Sequence, residues 1–344
     1  MLRRFALVGM GVLLAAFAWN GAADDQFLFF EDLEVGMEGI GKTIVRGNEI
    51  RTFQARIVAL VDSPGELNDF IEIRVSGDAI RESGGVAAGM SGSPIYVDGK
   101  LIGALSRAIS FDASPSPFAL VTPIEPMLDL VGATRQLAAD QQVARGVLDI
   151  DPARVGDAAL SGYTEIELTD AVPAEAVRQL HPQRAYAVPI ATPVMVSGMG
   201  TRAFEWFSGG LPQGVARSGA LAAPGREAFL RELGQGLPGR QATPVGALRG
   251  VDDLVPGGAV SVTLASGDVT IGSLGTVTYR EDDVVLGFGH SFLFTGDVEY
   301  FLARAYIYDT LANLQTPFKF GASTERMGTL FQDRVQGIIG MVWC

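Results

Sequence analysis

Two residue types that build metal and redox centres are nearly missing from this chain of 344 residues. The single cysteine, Cys344, is the last residue, so no disulfide can close within the chain and packing alone must hold the fold. Histidine occurs twice, at His181 and His290, and with no second thiol this argues against a His/Cys zinc site. No metal and no organic cofactor is expected. Positive charge is also scarce. Against 39 Asp and Glu stand 26 Lys and Arg, giving a net charge of −13 with no basic cluster; a nucleic-acid backbone would be repelled, not bound. Fixed-period repeats and low-complexity tracts are absent too, which sets aside solenoids and disordered tracts.

What is present is a 48% hydrophobic composition, enough for sizeable cores in two domains of ordinary size. The first residues, MLRRFALVGMGVLLAAFAWNGAADDQ, lead from Arg3 and Arg4 through an apolar run, Phe5 to Trp19, to small residues ending at Ala23. That order is the order of a secretory signal peptide. Cleavage after Ala23, where the chain turns acidic, is preferred over Ala18, and an exported protein of the periplasm or cell envelope is expected. An uncleaved segment associated with a membrane is the alternative, weakened because the run falls short of the roughly 20 residues a bilayer requires.

From Asp24 to about Pro126 short β-type runs alternate with turns: TIVRGNEIRTFQARIVALV, FIEIRVSG and SPIYVDGKLIGALS. Asp98-Gly99 accepts the positive φ of a tight primed turn, so IYV and LIGAL predict a hairpin. From 127 to 244 Ala-rich helical pieces such as AEAVRQL and REAFLREL alternate with Pro- and Gly-rich connections, the texture of a mixed α/β insert. From Val245 β patterning returns. SVTLASGDVTI and GTVTYREDDVVLGFG each predict a strand pair, and a helix is expected through DVEYFLARAYIYDTLANL. The organisation is a signal peptide over 1–23, β-rich halves over 24–126 and 245–344, and the insert between them.

Two glycine-rich stretches compete to define the chemistry. GMEGIGKT, at 36–43, fits the phosphate-loop pattern letter for letter. A working phosphate loop needs a hydrophobic strand before it and a helix after it. Here acidic EDLEV precedes, and β-branched TIVRGNEIRTF follows. Gly36, Gly39 and Gly41 therefore read better as a tight entry into a strand. GMSGSP, at 89–94, is the G-x-S-G-x-P pattern of the nucleophile loop in chymotrypsin-like peptidases, where glycines let a serine hydroxyl protrude and backbone N–H groups point at a developing oxyanion. On that match Ser91 is the nucleophile, and the N–H groups of Gly89 and Ser91 form the oxyanion hole. A Gly-Ser turn joining two strands is the plainer alternative. Of the two candidate bases, His181 lies before a proline in RQLHPQRAYA, where a solvated or capping role fits. His290 ends an apolar strand in VVLGFGHSF, with Gly287 and Gly289 permitting close approach of another chain segment.

SGGVAAGMSGSPIYVDGKLIGALS and GTVTYREDDVVLGFGH together resemble the SpoIVB peptidase family, the stage IV sporulation serine peptidases of the chymotrypsin-like clan. The resemblance is strongest over 26–126 and 245–340, and GMEGIGKT matches a G-M-x-G-x-G segment found near the start of that module. It implies a mainly β protein, a chymotrypsin-like double β-barrel with a mixed α/β insert, Ser91 as nucleophile and His290 as general base. Here the serine block precedes the histidine block, an order resembling non-sporulation members, so the two barrels would be exchanged in chain order while meeting in space as before. Family enzymes place an Asp some 15 residues before the serine; this chain has Ser76 there and Asp78 two positions on. Asp78 is the expected third member, with Asp297 or a bare Ser-His dyad as alternatives. The implied function is an exported serine endopeptidase acting on a protein or peptide substrate, itself included. The rival is a catalytically weak or inactive envelope protein that binds or scaffolds on the same fold.

Overall fold

The computed structural model describes residues 26–62, 69–110, 116–133, 146–150, 155–157, 162–169, 172–173, 183–197, 199, 202–203, 205–206, 221–222, 253–312 and 317–343. The expected signal peptide, His181, and the helical pieces AEAVRQL and REAFLREL lie outside these residues. Among the described residues no helix is long and apolar enough to cross a membrane.

The chain is mainly β. In the first half, β1 (Glu38–Ile44), β2 (Ile50–Val61), β3 (Phe70–Ser76), β4 (Pro94–Val97), β5 (Lys100–Ser110) and β6 (Phe118–Pro123) pair antiparallel in the order β4-β1-β2-β3-β6-β5. A β4–β5 pairing closes the ring. Its six strands enclose Phe53, Ile57, Ile71, Ile73, Ile95, Leu105 and Val121. These residues fall inside because β2 and its neighbours alternate apolar and polar side chains, and a strand turns successive residues to opposite faces. Asp98 (φ 51°) and Gly99 (φ 80°) form the predicted primed turn between β4 and β5. The helix α1 (Asp78–Ser83) follows β3.

The linking region begins with α2 (Ile124–Ala133). Strands β7 (Gly146–Asp149), β8 (Glu165–Leu168) and β9 (Arg184–Pro189) extend the first sheet beyond β5. Strands β10 (Val194–Ser197) and β11 (Leu221–Ala222) extend the second. The second half is β12 (Ala259–Ala265), β13 (Thr270–Glu281), β14 (Val284–Gly287), β15 (Gly296–Leu311), β16 (Phe318–Arg334) and β17 (Gly337–Val342). Its order β13-β12-β15-β16-β17-β14 is closed by a β13–β14 pairing, so it too is a six-stranded antiparallel barrel. Val260, Val262, Val277, Phe288, Leu302, Leu330 and Ile338 fill it.

One expected helix is a strand. The stretch DVEYFLARAYIYDTLANL forms most of β15, paired along its length with β16. Its Leu and Ala content suits a helix, but Tyr300, Phe301, Tyr306, Ile307, Tyr308 and Thr310 belong to the aromatic and β-branched types that pack best on a pleated surface. Pairing with a 17-residue partner strand decides the outcome.

The barrels meet along β1 and β15. Gly47 and Ile307 exchange backbone hydrogen bonds of 2.6 and 3.2 Å, and Ile44 is buried among Ala259, Leu274, Ala305 and Ile307. The phosphate-loop match dissolves here. Gly36 (φ 96°) turns the chain into β1, Lys42 pairs with Thr52 in mid-strand, and its Nζ sits 4.6 Å over the Tyr96 ring. A Cβ on Gly41 would fall 2.1 Å from the Phe53 ring, which accounts for that glycine without any phosphate.

Candidate active site

The serine turn is built from glycine and buried packing. Helix α1 ends at Gly84 (φ 77°), and the chain then folds back through residues 86–93 into β4. Met90 is fully buried, and its carbonyl accepts from the Ser93 N–H (2.9 Å) and hydroxyl (2.6 Å). Gly89 (φ 87°) and Gly92 (φ 88°) adopt conformations that L side chains avoid. A Cβ on Gly92 would lie 2.0 Å from the Thr276 carbonyl oxygen and 2.5 Å from Phe288 N. Only glycine lets the serine turn seat directly on the second barrel.

Thr276 of β13 fastens that seat at three points. Its N–H donates to the Ser91 carbonyl (2.9 Å), its hydroxyl to the Gly89 carbonyl (3.0 Å), and its own carbonyl accepts from Phe288 N–H (3.3 Å). Phe288 (φ 67°) and Gly289 (φ 69°) are both left-handed, swinging the chain at the end of β14 so that His290 turns toward the first barrel. For Phe288 this conformation costs on the order of 1–2 kcal/mol, and its ring compensates by packing over Gly275 in the barrel core. The Gly289 carbonyl accepts from the Thr122 hydroxyl at 2.7 Å, and its Cα stands so near Ala104 that a Cβ would approach to 2.8 Å. Residues nearly 200 positions apart are thus brought to one seam.

Within the seam Ser91 is fully buried and His290 is 6% exposed. Ser91 Oγ, Ser291 Oγ and His290 Nε2 have no hydrogen-bond partner among the described residues. Ser91 Oγ and His290 Nε2 are thus not hydrogen-bonded to each other. His290 Nδ1 lies 2.6 Å from the Ser291 carbonyl oxygen. A carbonyl can only accept, so Nδ1 carries the proton and Nε2 keeps its lone pair. Burial pushes the His290 pKa down to about 4, helped by the Arg107 charge and opposed by the Ser291 and Ile190 carbonyls. At neutral pH the ring is neutral, a donor at Nδ1 and an acceptor at Nε2.

The Gly89 N–H, expected in the oxyanion hole, donates to the Ala191 carbonyl at 2.8 Å. The position expected for a substrate oxyanion at Gly89 is therefore held by the chain's own backbone. Asp78 is not brought to the ring: its side chain is 74% exposed and ion-paired with Arg81 in the first turn of α1. Asp297, 73% exposed, binds Gln332 and Arg334.

Three residues absent from the sequence reading complete the site. Thr276 is one. Lys319 is the second: it is 1% exposed, its stem packs on Gly89, and its Nζ donates to the hydroxyls of Thr43 (2.8 Å) and Thr276 (3.2 Å). Burial pushes its pKa down to about 7. Asp333 is the third, fully buried behind the histidine loop, with Oδ1 accepting from Phe292 N–H at 2.6 Å and Oδ2 from Leu293 N–H at 2.7 Å. No local pattern could have flagged it, because its partners are backbone N–H groups and one hydroxyl some 40 positions away in sequence. No cluster suited to a metal ion occurs among the described residues.

Compared with known families, residues 30–119 match the model described as SpoIVB peptidase S55. The match covers β1 through β5 and the first two residues of β6, and so includes the serine turn, while the histidine block lies beyond it. No curated protein and no solved structure gives a match.

Proposed function

From the SpoIVB peptidase S55 match, a family of peptidases, we propose that this chain is an exported serine endopeptidase with Ser91 as nucleophile and His290 as general base. The observation that carries the reading is the seating of the serine turn on the histidine strand, Gly92 against Phe288 with Thr276 fastening both. Neither a scaffold nor a simple strand connection needs a buried serine hydroxyl and a buried imidazole nitrogen left unpartnered in one seam, since each such group costs about 1–3 kcal/mol.

In this mechanism Nε2 of the neutral imidazole takes the Ser91 proton as Oγ attacks the peptide carbonyl. The protonated ring then returns the proton to the leaving amine, and water repeats the cycle on the acyl-enzyme. The N–H groups of Ser91 and Gly89 hold the oxyanion once the substrate carbonyl displaces that of Ala191. His290, neutral from about pH 4 upward when unliganded, is in its proton-accepting form across the neutral range. The basic-then-apolar N-terminal stretch MLRRFALVGMGVLLAAFAW supports export to the envelope, and the substrate class is protein or peptide.

The second reading, an inactive binding or scaffold protein, is favoured by one observation: the Gly89 N–H is already occupied by Ala191. A fluorophosphonate probe separates the two. The peptidase reading expects covalent labelling at Ser91, lost in Ser91→Ala; an unlabelled wild-type protein, under conditions that label known serine peptidases, overturns it.

A further inference from the structure

His290 Nδ1 is held by a peptide carbonyl, where triad enzymes place a carboxylate. That carbonyl, of Ser291, and the N–H of Phe292 are two ends of one peptide group, and the Phe292 N–H donates to Asp333 Oδ1 at 2.6 Å. We propose that Asp333 is the positioning residue of His290, acting through the Ser291–Phe292 peptide, so that carboxylate, amide and imidazole form one hydrogen-bonded chain. The proposal rests on the reading of Ser91 and His290 as nucleophile and base.

Amide resonance supplies the coupling. Drawing the Phe292 N–H toward a carboxylate increases the C–N double-bond character and moves electron density onto the Ser291 oxygen, which becomes a stronger acceptor for Nδ1–H. The consequences are those a directly bonded carboxylate would have. The Nδ1–H tautomer is fixed, Nε2 is left with its lone pair, and the imidazolium formed during turnover meets a polarised oxygen. Arg107, from β5, is the charged group acting on the ring, and it opposes protonation. An anionic anchor behind the peptide works against it.

Asp333 is placed to serve this role without changing its contacts. It lies next to the end of β16, fully buried, and besides the Phe292 and Leu293 N–H groups it accepts from the Thr295 N–H (3.3 Å) and hydroxyl (3.0 Å). Four donors converge on one carboxylate. The segment 288–295 wraps round it, with the left-handed residues Phe288 (φ 67°) and Phe294 (φ 57°) at either end. A loop shaped this way fixes both the Ser291 carbonyl and the ring that uses it.

The test reads His290 directly. His181→Gln leaves His290 as the single histidine, so its ring nitrogens are identifiable in 15N spectra without any assay of activity. In this background the Nδ1–H tautomer is expected, with a scalar coupling across the hydrogen bond between Phe292 N and Asp333 Cγ. Asp333→Asn is expected to shift the Nδ1–H resonance upfield, lower the His290 pKa, and reduce kcat by about 10- to 100-fold with KM little changed, the range typical of lost outer-shell support. Glu325→Gln, an exposed carboxylate on the same strand, should change none of these. A wild-type Nε2–H tautomer, or an absent coupling, overturns the relay even if Asp333→Asn does not fold. Unchanged ring signals and kcat in a folded Asp333→Asn protein overturn it as well. Absence of fluorophosphonate labelling instead overturns the peptidase reading, and the spectra still decide the relay.

Discussion

Glu72 in the first barrel and Asp333 in the second are equally hidden from solvent, at 1% and 0% exposure, yet their surroundings are opposite. Asp333 receives four hydrogen bonds from the histidine loop. Neither carboxyl oxygen of Glu72 has a partner among the described residues, and burial, with Asp157 adding to it, pushes its pKa up to about 8. The first barrel thus keeps its buried acid protonated and without a hydrogen-bond partner among the described residues, while the second turns its buried acid on a loop. The contrast extends to how each barrel presents its functional residue. The serine turn is shaped by glycines and backbone contacts, Gly89 and Gly92 above all, whereas the histidine loop is shaped by a charged side chain. A serine turn seated this closely on another barrel leaves no room for bulk; a histidine needs an orientation, which a carboxylate can impose.

The sharpest way to break this comparison is at the reacting pair. Ser91→Ala and His290→Ala should each remove hydrolysis of a protein substrate by a factor on the order of 10⁶, and the double variant should lose no more, because the two act as a unit. Labelling and a peptide-release assay measure this, and additive losses would show that the residues act separately. Ser93→Ala is the matched change within the same turn. Its hydroxyl donates to the Met90 carbonyl, so about 1 kcal/mol of stability should go while labelling at Ser91 persists.

Lys319, which ties the serine turn to the second barrel, gives the next effect. Its pKa in the fold, about 7, lies below the ordinary 10.5. Between those values the unfolded chain holds a proton that the folded one does not, so stability should rise with pH, by up to about 1.4 kcal/mol per unit. Lys319→Met should flatten urea-unfolding stability between pH 8 and 10, and an unchanged slope would place the amine's titration elsewhere. Glu72 works in the other direction. Folded protein keeps its proton up to about pH 8 whereas the unfolded chain releases it near 4.5, so stability should fall as pH rises through that window. His290, with its folded value near 4 against 6.5, makes stability fall as pH drops from 6.5 toward 4, so the two nearly cancel between pH 4.5 and 6.5. Between pH 7 and 8 the Glu72 loss is offset by the Lys319 gain, so Glu72→Gln should remove the fall from pH 6.5 to 7 and steepen the rise from pH 7 to 8, read as melting temperature against pH.

What the sequence shows and what it hides follows the same physical division. Asp98-Gly99 and the acidic turn at Asp282 announce their hairpins because positive φ restricts which residues can sit there, and both are left-handed in the fold. GMSGSP is legible for the same reason: Gly89 and Gly92 both have positive φ, and Gly92 answers to close backbone contact with Thr276 and Phe288. The strand β15 was read as a helix because Leu and Ala favour one locally, whereas its partner β16 lies beyond any local window. Asp333, Lys319 and Thr276 left no trace because their contacts are to backbone atoms and hydroxyls brought together only by the closed barrels.

Asp78 provides the smallest expected effect and separates local spacing from geometry. Its position 13 residues before Ser91 made it the expected orienting acid, but the first turn of α1 points it into solvent, 74% exposed and paired with Arg81. An ion pair this exposed contributes about 0–1 kcal/mol. The Nδ1 it would orient is already committed to the Ser291 carbonyl. Asp78→Asn should therefore leave kcat, KM and the rate of fluorophosphonate labelling within about twofold of wild type, with stability changed by less than about 0.5 kcal/mol. Losing a carboxylate that does orient the imidazole costs on the order of 10⁴ in turnover, so the two outcomes stand far apart. A large drop would require α1 to swing Asp78 toward the seam when substrate binds. Such a drop would transfer the orienting role from the second barrel to the first.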